Sequence, residues 1–210
     1  MQRLFGTDGV RGKAGEHPLD VPTVRRLGGA IVRALRHVDE PDAPHPEALR
    51  FLAGRDTRES GDWIERELAF GMRSQGGVLT SAGVIPTPAV AYLTPRMGYT
   101  AGAVISASHN PFEDNGIKVF SGAGEKFTEA LEEQVEAIVA DSSWQVPAGA
   151  LPAIEQIDYR AEYVSHLQGI LPHADRVRGM RIAVDCANGA TTTVAPRLFQ
   201  ELGSDARCIG

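Results

Sequence analysis

Cysteine is nearly absent from these 210 residues: Cys186 and Cys208 are the only two. That is too few for a disulfide framework, and their separation is not that of a zinc-binding pair, so both read as packed or surface thiols. Long apolar runs are also missing. No stretch approaches the roughly 20 residues a membrane helix needs, and the opening "MQRLFGTDGVRG" has no signal-peptide core. There is no dense basic run, and the formal net charge is -6, which argues against a general nucleic-acid surface. Internal repeats and low-complexity tracts are absent too. These absences lead us to expect a cytoplasmic protein with neither a membrane nor a nucleic acid as partner.

What is present is an ordinary soluble composition, 42% hydrophobic and 23% charged. At roughly 150 residues per domain the length suits one domain and part of another. Apolar residues Val21, Val24, Leu27, Ile31 and Leu35 recur at steps of three and four, which predicts a helix capped by Asp20 with Pro22 in its tolerant first turn. "LRFLAG" (49–54) reads as a buried strand. A helix follows between Ser60 and Met72, with Ile64, Leu68 and Met72 on one face and Gly76 and Gly77 at its end. "VLTSAG" (78–83) is another strand, and Thr87 and Pro88 are expected as the cap and first residue of the next helix. "TAGAVIS" and "IKVFS" supply two further strands, and Thr128 opens a helix carrying Leu131, Val135 and Ile138. Such alternation implies a layered α/β domain.

Between Asp141 and Ile157 the pattern dissolves around Pro147, Gly149 and Pro152, which predicts a boundary: a first domain over 1–154 and a second unit over 155–210. The second unit holds a helix around Tyr159, Tyr163 and Leu167, the strand "RIAVDCA", and a helix over 193–202. With about one βα step before Gly210 it reads as the truncated start of a further α/β domain.

The chemistry concentrates in three loops. In "AGAVISASHNPFEDNGIKVF" (101–120) an apolar strand breaks at Ser106, placing Ser108 just past its carboxyl end, where ligand crevices form in α/β sheets. Asn110 and Pro111 also suit a plain turn, with Ser106 and Ser108 bonding nearby backbone. A hydrolase would pair Ser108 with His109, yet sequence neighbours point apart, and no Gly-x-Ser-x-Gly elbow surrounds Ser108. A phosphorylated serine would need basic side chains around it, and Lys118 is near; the competing reading of Lys118 is an exposed lysine on an edge strand. In "FGTDGVRG" (5–12) the glycines permit a tight loop and Arg11 can fork onto a phosphate; an Asp-Gly hairpin with a solvated arginine fits equally. "AGRDTRESG" (53–61) places Arg55, Asp56 and Arg58 after a strand, where ion pairs that fix the loop are expected.

These three segments together with "IPTPAV", in this order, resemble the α-D-phosphohexomutase family over essentially the whole chain, and "VDCANGATTTVAPRLFQELG" (184–203) is similar to the opening of that family's second domain. The forms "FGTDGVRG" and "ISASHNP" are closest to the branch that acts on glucosamine phosphates, rather than the mannose and glucose phosphate branch. The resemblance implies a layered mixed α/β first domain with helices around a central sheet. It also implies an isomerase that interconverts glucosamine 6-phosphate and glucosamine 1-phosphate, in service of amino-sugar nucleotide and cell-wall precursors. Ser108 would be the phosphoserine, and the substrate a hexosamine phosphate that becomes bisphosphorylated on the way. Mg²⁺ would bind a phosphate oxygen on Ser108, with its carboxylate ligands lying beyond Gly210. Lys118 and Arg11 would hold the phosphate or assist proton transfer, with Lys118 the stronger acid/base candidate because a guanidinium hardly deprotonates. His109 and Asn110 would shape the loop.

The family's Asp-x-Asp-x-Asp metal loop, its sugar loop and its second phosphate loop have no counterpart in these 210 residues, and all three are expected past Gly210. The segment is therefore expected to be inactive alone. A mutase of the family's mannose and glucose phosphate branch, a non-catalytic sugar-phosphate-binding module and a Ser108 hydrolase remain as alternatives, and a homodimer of a full-length parent stays open.

Overall fold

The computed structural model describes residues 3–38 and 48–210. Its elements, in chain order, are β1 (Val10–Lys13), α1 (Val21–Val38), β2 (Leu49–Arg55), α2 (Ser60–Ser74), β3 (Gly77–Val84), α3 (Thr87–Arg96), β4 (Ala101–Ile105) and β5 (Asp114–Ser121). They continue with α4 (Glu129–Ala140), β6 (Glu155–Gln156), α5 (Arg160–Ile170), β7 (Arg181–Asp185), α6 (Ala195–Glu201) and β8 (Asp205–Ile209). Six strands form one mixed sheet in the order β1-β5-β4-β2-β3-β6, and β7 and β8 form a separate parallel pair.

The order follows from the connections. β2, β3 and β4 are joined by helical crossovers and lie parallel, whereas the short β4–β5 link turns the chain straight back into an antiparallel neighbour. β1 then pairs antiparallel with the far side of β5, setting Arg11 opposite Gly116. Both faces of the sheet are covered, so its central strands are apolar without alternation. Phe51, Ala53, Ala103, Ile105 and Ile117 meet α1, α2 and α4 on one side; Leu52, Val104 and Phe120 meet α3 and α5 on the other.

Local expectations hold in most places. Asp20 accepts from the Thr23 amide at 3.0 Å at the start of α1, and the Thr128 hydroxyl accepts from the Leu131 amide at 3.3 Å at the start of α4. Two details differ. Thr87 is already the first residue of α3, and Pro86 occupies the cap without a side-chain bond, because its fixed, extended backbone delivers the turn by itself. Gly77 does not end α2 but begins β3, so the link after Ser74 is only Gln75 and Gly76. β1, β6 and β8 are strands that periodicity did not announce; β1 and β6 have only four and two residues, too few for an alternation to register.

The helical layer is built on close approach. A Cβ on Gly71 of α2 would lie 1.8 Å from the Arg25 carbonyl oxygen of α1, so only glycine lets the two helices cross at this separation. Gly71→Ala is expected to push them apart and cost about 3 kcal/mol, the upper range for overpacking a tight contact. Urea unfolding checks it: a midpoint equal to the parent chain's would show that α1 and α2 can yield.

Candidate active site

The loop after β4 is displayed on a firm base. Ala107 is fully buried beneath it, while Ser108 and His109 are exposed. Ser108 has φ = 58°, a left-handed backbone that costs a residue with a Cβ about 1–2 kcal/mol. Its amide donates to Ser106 Oγ at 3.0 Å, and that hydroxyl donates to Asp56 Oδ2 at 2.6 Å. The Ser108 hydroxyl itself has no hydrogen-bond partner among the described residues. The turn expected at Asn110-Pro111 is real, since the Asp114 amide donates to the Pro111 carbonyl at 3.1 Å. The segment is thus both a turn and a display of Ser108.

Arg11 and Lys118 approach from the β1–β5 side. Arg11 Nη1 donates to Asn110 Oδ1 at 3.2 Å, and Asn110 Nδ2 donates to Asp114 Oδ2 at 3.0 Å. Asp8 ties the two cations together, with one carboxylate oxygen 3.3 Å from Arg11 Nη2 and the other 3.6 Å from Lys118 Nζ. Neither cation bonds Ser108 directly. The Asp8 contact exists because Gly6 and Gly9 exchange backbone bonds of 3.0 and 3.3 Å around Thr7 and Asp8, the tight hairpin foreseen for "FGTDG". Gly9 must be glycine there: its φ is 89° and a Cβ would meet the Ile117 carbonyl oxygen at 2.4 Å. Lys118 is not on an edge, since β5 lies between β1 and β4, and its side chain is half-buried. Arg11 Nε is buried with no partner, a donor in excess of what the surrounding protein uses.

Ser108 lines an open cleft of about 1220 Å³. Ser106, Ser108, His109 and Asn110 line one wall. Asn188, Gly189 and Thr191, from the loop after β7, line another. The Thr57 hydroxyl donates to the Asn188 carbonyl, and Thr193 Oγ1 donates to the Val84 carbonyl at 3.1 Å, so the β7 loop is fastened to the rim. Phe112, 88% exposed, stands beside the cleft mouth.

The chemistry open to this arrangement is that of an exposed hydroxyl with two cations nearby. A serine hydrolase is not assembled: no imidazole bonds Ser108 among the described residues, and a base within bonding reach defines that mechanism. No group of three or more His, Cys, Asp or Glu side chains among the described residues is arranged to hold a metal ion. Of the nearby carboxylates, Asp56 is engaged with Arg58, Asp114 with Asn110 and Asp8 with the two cations, while Glu59 and Glu113 line the cleft. Gly210, past which the metal carboxylates are expected, has no side chain and is not itself a ligand. Its left-handed backbone (φ 91°) lies against the loop after β7, where a Cβ would meet the Ala187 amide nitrogen at 2.8 Å, so its place is behind the cleft wall. The described residues do not by themselves fit a Mg²⁺ site. Among the described residues no helix is long and apolar enough to cross a membrane.

Expected ion pairs in "AGRDTRESG" are present. Arg55 Nε lies 3.3 Å from Glu65 Oε2, and Arg58 Nε lies 3.1 Å from Asp56 Oδ2. Burial raises the Glu65 carboxyl above the usual carboxylate range, against the opposing Ser81 bond and Arg55 charge. Asp8 and the wider bonding of Arg58 were not foreseen. The signal for Arg58 was the Asp-x-Arg spacing directly after a strand of the central sheet.

Residues 2–146 match the family described as phosphoglucomutase/phosphomannomutase, alpha/beta/alpha domain I. The whole chain is 45% identical to a phosphoglucosamine mutase of Thiobacillus denitrificans, covering 46% of that protein. Against a phosphoglucosamine mutase of Deinococcus deserti the identity is 43%, over 99% of this chain and 46% of the relative. A crystal structure of a phosphoglucomutase/phosphomannomutase family protein from Burkholderia thailandensis superposes with a TM-score of 0.78 at 26% identity, covering 100% of this chain and 44% of that one. The chain therefore spans about half the length of the relatives it matches.

Proposed function

This chain belongs to the phosphoglucomutase/phosphomannomutase family, the α-D-phosphohexomutases, and from that premise we propose that it is the nucleophile-bearing part of a mutase that interconverts glucosamine 6-phosphate and glucosamine 1-phosphate. The observation that carries the reading is Ser108: an exposed hydroxyl on a left-handed residue, without a hydrogen-bond partner among the described residues, lining a broad cleft, with Arg11 held to the same loop through Asn110 and tied to Lys118 by Asp8. Relatives named phosphoglucosamine mutase favour the amino-sugar substrate over the other sugar phosphates of the family.

In the proposed cycle phosphorylated Ser108 gives its phosphoryl group to a free hydroxyl of the hexosamine phosphate. The serine Oγ–P bond breaks as the sugar O–P bond forms, and the sugar hydroxyl proton passes, with Lys118 as the acid/base candidate, to the departing Ser108 Oγ. The bisphosphorylated sugar reorients, and its other phosphoryl group returns to Ser108 Oγ. A covalent phosphoserine splits one isomerisation into two transfers, and positioning with charge neutralisation supplies most of the acceleration. Arg11 and Lys118 would move their charge from Asp8 onto the phosphate, and the spare Arg11 Nε donor supports a role toward an anion. His109 and Asn110 would shape the loop, Asn110 by its link to Arg11. Mg²⁺ would add charge at the phosphate, with carboxylate ligands supplied by residues beyond Gly210. We divide the chain at 154/155 into a phosphoserine domain and the start of a second α/β domain, although β6, just past that division, still pairs with β3 of the first sheet.

Peptide mass spectrometry of the full-length protein carrying this chain tests the reading. The expected result is a phosphoryl group on Ser108, discharged by glucosamine 6-phosphate in Mg²⁺. If Ser108 stays unmodified after incubation with a hexosamine bisphosphate, the binding-module reading replaces the mutase.

A further inference from the structure

Arg58 lies in the short connection between β2 and α2, far in sequence from the Ser108 loop, yet both Nη atoms of its guanidinium hold that loop. Its side chain is only 10% exposed. Nη1 donates to the carbonyls of Pro111 and Asp114 at 2.5 and 2.9 Å, and Nη2 to those of Ser108 and Asn110 at 3.0 and 2.9 Å. Nε donates to Asp56 Oδ2 at 3.1 Å. A guanidinium has five N–H donors, and here all five find an acceptor. Asp56 is held in return: its Oδ1 accepts from the Arg58 amide at 3.0 Å, while Oδ2 also accepts from Ser106 Oγ.

Ser108 is consequently gripped at both of its backbone polar groups. Its carbonyl is fastened directly by Arg58, and its amide through Ser106 to Asp56, the partner of Arg58. That grip lies where the backbone is held left-handed. We propose that Arg58, with Asp56 as its counter-charge, is the positioning residue of the phosphoryl-carrying loop: it sets the orientation of Ser108 for in-line transfer without touching the reacting atoms. The inference rests on Ser108 being the phosphoryl carrier. Lysine cannot replace it, since an ammonium has three donors and no planar fork to span four carbonyls and a carboxylate.

A misplacement of about 1 Å can slow a positioned reaction roughly 100-fold, and that is the expected fall in kcat for Arg58→Ala in the full-length protein. KM for the sugar phosphate should stay within about twofold, because the residue orients the nucleophile rather than the substrate. Millimolar guanidinium should restore about tenfold of the lost rate by refilling the site, whereas methylammonium, like Arg58→Lys, should restore little. Single-turnover transfer from pre-phosphorylated Ser108, normalised to folded protein by circular dichroism, reads these effects apart from stability. Wild-type transfer per folded molecule in Arg58→Ala, or in Arg58→Lys should the alanine variant not fold, overturns the proposal. So does a loss that guanidinium leaves untouched. Wild-type protein that never phosphorylates Ser108 would instead sink the functional reading itself, a result visible before any variant is made.

Discussion

Ser108→Ala is expected to abolish phosphoryl transfer, with a fall in kcat of roughly 10⁶-fold, the scale seen when the nucleophile of a covalent mechanism is removed. The substitution deletes an exposed hydroxyl that bonds nothing among the described residues, so folding should be unaffected and the loss should appear in chemistry alone. The nearby Ser106 cannot take over. Its hydroxyl is occupied, donating to Asp56 at 2.6 Å and accepting from the Ser108 amide at 3.0 Å. Ser106→Ala should therefore leave Ser108 modifiable while slowing transfer roughly tenfold or more, since both hydrogen bonds of that hydroxyl are lost. Tracing label from a hexosamine bisphosphate decides between the two serines. Undiminished label in Ser108→Ala would remove this residue from the mechanism and point to another acceptor.

Lys118→Ala should have the next largest effect, about a 10³-fold loss of kcat, within the range of a general acid or base. Lys118 sits on an interior strand, opposite Val104 of β4, and its ammonium reaches only the Asp8 carboxylate among the described residues. An interior placement leaves its side chain half-buried rather than loose in solvent. Lys118→Arg separates its two available roles. If charge alone matters, the arginine variant should recover most of the rate; if a proton must move, it should remain near the alanine level, because a guanidinium hardly releases one. Quenched-flow measurement of both variants reads the outcome. An alanine variant within about threefold of the parent, far short of the loss of a general acid or base, would reduce Lys118 to a structural counter-ion of Asp8.

Much of the architecture was legible from short-range pattern. The periodic face of α1 carries Val24, Leu27 and Ile31, and all three are fully buried. The apolar runs of β2 and β4 announced strands, and the structure covers both of their faces with helices. Caps at Asp20 and Thr128 are local hydrogen bonds and were read locally. The short strands were not, because a handful of residues holds too little alternation to distinguish from loop. Nor was the loop around Ser108 readable as more than a turn without the family resemblance, since the dipeptide Asn-Pro suits a turn wherever it occurs.

By itself the sequence determined the element alternation, the burial pattern, the family, and the position of the exposed serine at a strand's end. These rest on interactions spanning a few residues, or on motifs that survive as strings. The tertiary structure alone decided the company Ser108 keeps. Arg11 reaches Asn110 across 99 positions because β1 pairs with β5, Arg58 reaches the Ser108 carbonyl across 50, and Asp8 joins Arg11 to Lys118. Strand register sets which side chain lies beside which, and a shift of one residue would turn Arg11 to the opposite face. Such a pairing depends on the whole sheet closing and leaves no trace in any local window.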